Sequence, residues 1–324
     1  MRKGPTMKGM SVAAGVALAG FLAALPMAQA RAADPASCKL VRMSDPGWTD
    51  ITATNAVAGI LLKALGYEQK VETIAVPITF QGLKTGQIDV FLGNWMPAQS
   101  HLAGPLLENK EADLLRANLE NAKFTLAVPD YVAEAGVRSF ADLDKFADKF
   151  ESKIYGIDPG APANQNIDRM IGADAFGLGD WSLVPSSEQG MLAQVNRKAR
   201  RDDWIVFLAW EPHPMNEKFD ITYLSGGDEY FGANYGGTTI NTLARRGYAQ
   251  DCPNAGKLFG QLAFTTDMEN AIMQGIEEER QDPAEAAAEV LKADPEPIAA
   301  WLDGVTTLGG EPALPAVRQA LKLD

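Results

Sequence analysis

The chain has 324 residues, 46% hydrophobic and 22% charged, with 29 Lys and Arg against 42 Asp and Glu. That length is enough for two domains with cores of their own, and the composition is that of a globular protein, not of a disordered or coiled-coil chain. A net charge of −13 argues against nucleic acid and anionic membrane surfaces as partners, since both repel an acidic protein.

Residues 1–30 read as a secretory signal. Arg2, Lys3 and Lys8 supply a basic start, Ser11–Leu25 is apolar, and Ala28-Gln29-Ala30 is a small-x-small cleavage site. Removing the segment takes away three cations and no anions, so the charge moves from −13 to −16. No later stretch is apolar and long enough to span a membrane. Two cysteines remain, Cys38 and Cys252. Export into an oxidising compartment favours one disulfide between them, the alternative being two buried thiols.

In chain order, Lys39–Met43 reads as a strand. S-D-P-G-W-T-D turns the chain, and Thr49 or Asp50 can cap a helix over Ile51–Leu65 that stops at Gly66. Val71–Val76 is a second strand, Thr79–Thr85 a short helix ended by Gly86, and Ile88–Gly93 a third strand leading to Asn94-Trp95. This β-α-β-α-β order predicts a parallel, helix-covered sheet. Residues 99–121 read as a helix and a connecting loop, and Phe124–Val128 as a strand crossing into a second domain. A helix over Ser139–Phe150, a strand over Lys153–Ile157, a helix near 165–176 capped by Asn164 and a helix over Ser187–Arg200 follow. Trp204–Ala209 is an unbroken apolar and β-branched run, expected as a buried strand. It ends at Trp210, because Pro212 and Pro214 forbid continuation, and the chain returns to the first domain there. After a strand at Ile221–Leu224 and the Gly-rich run G-G-D-E-Y-F-G-A-N-Y-G-G, the remainder reads as mostly helical. The expected domains are residues 31–121 with 212–324, and residues 122–211.

Catalytic signatures are missing. There is no phosphate-binding glycine loop, no nucleophile elbow, no H-E-x-x-H and no C-x-x-C. The two histidines, His101 in a polar stretch and His213 in E-P-H-P, are too scattered to suggest zinc. No metal or cofactor is expected. Asp50, Asp158 and Glu211 follow strands, but nothing in their spacing demands an acid–base pair. The positive signal is aromatic. Trp48, Trp95 and Trp210 each follow a strand at its carboxyl end, where open α/β sheets take their ligands. Trp181, Trp204 and Trp301 are read as core. Aromatic faces grouped in a cleft suit a quaternary ammonium ion, which cannot donate a hydrogen bond.

S-D-P-G-W-T-D-I-T-A-T, V-F-L-G-N-W-M-P, S-S-E-Q-G-M-L-A-Q-V and W-E-P-H-P-M-N together resemble the choline-binding proteins of ABC importers, in the glycine betaine/choline group of periplasmic substrate-binding proteins. The resemblance runs over essentially all of the chain after residue 30. It implies an α/β, two-domain periplasmic binding protein of type II, each domain a helix-covered, mainly parallel sheet, closing on its ligand like a hinged clamp. It implies a periplasmic monomer without catalytic activity that hands a small ammonium ligand to an inner-membrane permease and its ATPase. It implies that Trp48, Trp95 and Trp210 hold a trimethylammonium group, that Asp50 helps bind choline, and that Cys38 and Cys252 are bonded. Two positions depart from the family pattern. Phe124 stands where a fourth aromatic, a tyrosine, is expected, and Ala161 where an asparagine would meet the choline hydroxyl. Glycine betaine and trimethylamine N-oxide are the alternative ligands. A choline-ester hydrolase using Asp50 or Glu211 as base is the alternative of another class.

Overall fold

Two glycines and one proline set the first half of the sheet. In the computed structural model, which describes residues 1–6, 9 and 34–323, β1 (Leu40–Asp45) leads into α1 (Thr49–Ala64). The helix is closed at Gly66, whose φ of 89° suits a residue without a side chain. β2 (Glu68–Thr73), α2 (Val76–Thr85) and β3 (Val90–Met96) follow. Pro77 in the first turn of α2 starts that helix earlier than expected and takes Val76 out of the strand, and Gly86 at φ 72° ends it. β1 pairs in parallel with both β2 and β3, as the β-α-β-α-β order predicts. The expected signal segment lies almost wholly outside the described residues.

α3 (Ser100–Glu108) then delivers β4 (Ala112–Pro129), an 18-residue strand whose first half the sequence predicts as loop. β4 pairs with β9 (Gly237–Arg245) through three register shifts, between Leu114 and Arg116, Ala117 and Leu119, and Leu119 and Ala122. Each shift breaks the two-residue alternation by which a strand is recognised. After α4 (Asp130–Glu134), the expected helix over Ser139–Phe150 is broken into two 3-10 turns and the single turn α5 (Ala147–Phe150). β5 (Lys153–Tyr155), α6 (Pro162–Gly172), β6 (Ser182–Val184), α7 (Glu188–Ala199) and β7 (Phe207–Glu211) continue the chain, with β5 parallel to β6 and β7. Asn164 does not cap α6 but lies inside it, where its side chain bonds the backbone of Ile157 and Asp158. The buried strand expected over Trp204–Ala209 begins three residues later and ends two later, so Trp210 lies inside it. Trp204 lies before it, half-buried against Phe146 and Phe150 with the Lys149 amine over its ring.

The short turn α8 (Met215–Lys218), β8 (Ile221–Tyr223) and the single turns α9 (Asp228–Phe231) and α10 (Ala233–Gly236) lead to β9 (Gly237–Arg245), a strand absent from the expectation although T-T-I-N-T-L carries β-favouring residues. β9 runs antiparallel between β3 and β4 and joins the whole into one sheet, ordered β2-β1-β3-β9-β4-β7-β5-β6 with β8 on β4. The sheet is therefore parallel toward its two ends and antiparallel in the middle. The single turn α11 (Tyr248–Asp251) and helices α12 (Pro253–Gln261), α13 (Thr266–Glu277), α14 (Pro283–Ala293), α15 (Glu296–Trp301) and α16 (Ala313–Leu321) complete the helical end of the chain. α13 and α14 pack on α1. Cys38 and Cys252 are bonded, with Cα atoms 5.7 Å apart, so the start of β1 is tied to the start of α12. No helix among the described residues is long and apolar enough to cross a membrane.

Candidate functional site

Strand pairing, more than chain proximity, gathers the aromatic side chains. Phe124 of β4 is the direct antiparallel partner of Trp210 of β7. Trp95, near the end of β3, pairs with Ile240 of β9, and β9 pairs in turn with β4. The rings of Trp95 and Phe124 are 6.0 Å apart and those of Phe124 and Trp210 6.3 Å, both tilted. Trp48 enters from the turn between β1 and α1. Asp45 organises that turn, accepting the amides of Gly47 and Trp48 and the Thr52 hydroxyl. Behind Phe124 the backbone of Gly236 passes so closely, at φ 71°, that any side chain there would run into the Phe124 carbonyl.

Trp48, Asp50, Trp95, Phe124 and Trp210 line one cavity together with Ala98, Gln99, Ile157, Pro162 and Ala163. All five residues singled out in the sequence are thus in one place. The five others were missed. Ile157, Pro162 and Ala163 frame the P-G turn in which Ala161 stands, and Gln99 shows no sequence signal beyond following Met96-Pro97. Ala161 itself faces a neighbouring hollow, beside Trp48 and Asp158. Among the described residues lining the main cavity there is neither Lys nor Arg. Glu211 lies outside it, ion-paired with Lys123 at 3.0 Å, and His101 is exposed on α3.

The sequence profile described as the substrate binding domain of an ABC-type glycine betaine transport system, OpuAC, matches residues 39–293. The chain belongs to the OpuAC family. Its fold is that of a solved ABC-transporter choline binding protein in complex with choline, at 50% identity and TM-score 0.87 over 89% of this chain and 100% of that one. Lactococcal OpuAC in its closed form with glycine betaine is similar at 29% identity and TM-score 0.73, over 81% and 99% of the two chains. The glycine betaine/carnitine transport binding protein GbuC of Listeria monocytogenes is 30% identical over 161 residues, 49% of this chain and 51% of that protein. The family is one of transport binding proteins and not of catalysts.

In this OpuAC-family chain the cavity floor is acidic. Asp50, in the first turn of α1, is 1% exposed and accepts the Trp95 indole N–H at 3.0 Å. Burial, and next the nearby charge of Glu188, push its carboxyl up from 3.8 to about 7. Glu269 of α13, fully buried and within reach of the charge on Asp50, is also held well above the usual carboxylate range, by burial first. The Trp48 indole N–H donates to Asp158 at 3.2 Å. Beneath the turn lies a second buried group that sequence reasoning missed. Glu188 of α7 accepts from the Thr49 amide and hydroxyl, and a carboxyl oxygen of Glu277 of α13 lies 3.0 Å from the same hydroxyl oxygen. His213 Nε2 faces both carboxylates at 3.4 Å. Its Nδ1 accepts the Met215 amide at 3.0 Å, which leaves the ring proton on Nε2. The three side chains lie within 4.8 Å of one another. With that proton between them, they form a hydrogen-bonded cluster; a metal would need the lone pair that Nε2 no longer has free.

Proposed function

We propose that the protein is the periplasmic ligand-capturing subunit of an ABC importer, that it takes a quaternary ammonium compound into the aromatic cavity, and that choline is its preferred ligand. It delivers that ligand to an inner-membrane permease driven by an ATPase, after export directed by residues 1–30. In this reading residues 31–121 with 212–324 and residues 122–211 are two lobes that close on the ligand, with β4 and the turn after β7 as the crossing segments. The observation that carries the reading is the cavity itself. Three indoles and a phenyl ring surround a space with a single carboxyl group. Each desolvated aromatic contact to a cation contributes about 2 kcal/mol, so three indoles supply much of the roughly 8 kcal/mol of a micromolar complex.

Choline is favoured over glycine betaine by Asp50. A carboxylate attracts the ammonium and can accept a hydroxyl proton, but it repels betaine's own carboxylate, and the described residues of the cavity lining include no Lys or Arg to receive that group. Calorimetric titration of choline, glycine betaine, trimethylamine N-oxide and tetramethylammonium into the native protein tests this. Choline is expected to bind more tightly than glycine betaine. The reverse order would overturn the choice of ligand, and no binding of any of the four would overturn the carrier reading.

A further inference from the structure

The turn that carries Trp48 and Asp50 is held from below by a side chain that takes no part in lining the cavity. α7 does not need Glu188 for its own start, because Ser187 accepts the Gly190 amide at 3.0 Å. α1, in contrast, has no cap from its own N-cap residue, Trp48, and Asp45 is occupied with Gly47 and Trp48. The Thr49 amide would be an orphan donor. Both Glu188 carboxylate oxygens lie 3.3 Å from that amide, and Glu188 also accepts the Thr49 hydroxyl. A helix thus receives its cap from a residue 139 positions away, at the end where a negative charge is stabilised by the helix dipole.

We propose that Glu188 is a positioning residue for ligand capture: seated on the first turn of α1, it holds Trp48 and Asp50 against the Ile157–Ala163 side of the cavity and sets how long a bound ammonium ligand stays. The inference rests on the ammonium-carrier reading. The two bonds that flank Trp48, its own indole to Asp158 and Thr49 to Glu188, join α1 to the same stretch of chain, on either side of α6. Parting them would open the cavity between Trp48 and Ile157. It would also return Glu188, now wholly buried, to water. A buried carboxylate is tolerable only with its partners in place, so the contact belongs to the enclosed arrangement.

Glu188 has a second effect, through charge. It is among the groups that hold the Asp50 carboxyl up, after burial. The other ionisable groups around the pair are Asp45 before α1, Glu269 and Glu277 on α13, His213 after β7, and Lys218 of α8 near Glu277. Replacing Glu188 by glutamine therefore loosens the grip on α1 and at the same time eases ionisation of Asp50. A merely structural role would produce the first change or a loss of stability, and not a displaced pH profile.

The test is stopped-flow tryptophan fluorescence with choline on the native protein, Glu188→Gln and Thr49→Val, with affinity measured from about pH 5.5 to about pH 8.5, a window that spans the titration of Asp50. Glu188→Gln is expected to release choline about ten-fold faster or more, with association changed far less, because loss of a charge-assisted hydrogen bond falls mainly on the off-rate. Its affinity–pH midpoint is expected to lie below that of the native protein. Thr49→Val is expected to speed release with the midpoint in place. A folded Glu188→Gln with native release rate and native midpoint overturns the proposal. If that variant does not fold, native release by Thr49→Val overturns it. Absence of binding by the native protein would strike the carrier reading instead, so the two failures are separable.

Discussion

The cavity and the cluster beneath it are built from opposite materials a few residues apart. Trp48 belongs to the first and Thr49 to the second. Above, in the proposed reading, attraction for a ligand comes from aromatic faces, whose interaction with a cation changes little over ordinary pH. Below, buried carboxyl groups, a histidine and one helix N-terminus are balanced by shared protons, and a single proton alters that balance. Asp50 is the point of contact, lining the cavity while feeling the charge of Glu188. In that reading the difference separates what would hold an ammonium ion from what would set when it is held, and mutations can strike either side alone.

The largest effects are expected on the aromatic side. Trp95→Ala and Trp210→Ala should each weaken choline binding by about 1–3 kcal/mol at every pH, measured by calorimetry. Trp204→Ala is the control. That ring is half-buried among Phe146, Phe150 and Lys149, away from the cavity, so it should lower thermal stability by about 1–3 kcal/mol and leave affinity alone. Loss of binding in a folded Trp204→Ala with native binding by Trp210→Ala would reverse the assignment.

Gly236→Ala attacks the same side from behind. A left-handed φ of 71° costs an L-residue about 1–2 kcal/mol, and the new Cβ meets the Phe124 carbonyl. Phe124 must move, so both melting temperature and choline affinity should fall. A fall in stability with native affinity would mean that Phe124 contributes no contact.

These two sides were not equally legible in the sequence. Trp48, Trp95 and Trp210 could be found because each stands near a strand end within two residues of Pro or Gly, and turn chemistry is local. Phe124 was found only through the family pattern, since nothing in A-K-F-T-L distinguishes a cavity ring from a core ring. Glu188, Glu269 and Glu277 were invisible. Acidic residues in helices are ordinarily solvated, and whether one is buried is decided by partners more than a hundred positions distant, as Thr49 is from Glu188. β9 was lost for a related reason, being a central strand that carries Thr and Asn side chains whose partners can lie on neighbouring strands, as Asn118 does for Thr242.

Asp50→Asn tests the join between the two sides, with a smaller effect. With the carboxyl held at about 7, the charged form grows as pH rises through neutrality, so native choline affinity should climb roughly ten-fold between pH 6 and pH 8. The effect on stability has the opposite sign. A carboxyl raised from 3.8 to about 7 by folding stabilises the empty protein fully below about pH 4, and that contribution is lost as pH rises through 7. The rise in melting temperature on adding choline should therefore be larger at pH 8 than at pH 6. An amide in place of the acid should flatten both profiles and narrow the preference over glycine betaine. A pH profile unchanged by the substitution would remove Asp50 from the ligand's charge recognition.

The smallest expected effect is the most specific, because it asks whether the cavity can be taught to read a hydroxyl. Ala161 is the N-cap of α6, 4% exposed, and α6 has no side-chain cap. Asparagine is among the best N-cap residues and is worth about 1 kcal/mol over alanine there, so Ala161→Asn should raise the melting temperature without any ligand. Its side chain can also turn toward Trp48 and the ligand's far end. The two outcomes compete for one amide, and tetramethylammonium distinguishes them, since it offers the same trimethylammonium group and charge with no hydroxyl. A few-fold gain for choline with none for tetramethylammonium would place the new amide on the hydroxyl. Equal gains for both would mean that the substitution only stiffens the turn beside Trp48. A gain in melting temperature with both affinities unchanged would mean that the asparagine serves the helix alone, and that the cavity recognises its ligand by the ammonium group and Asp50.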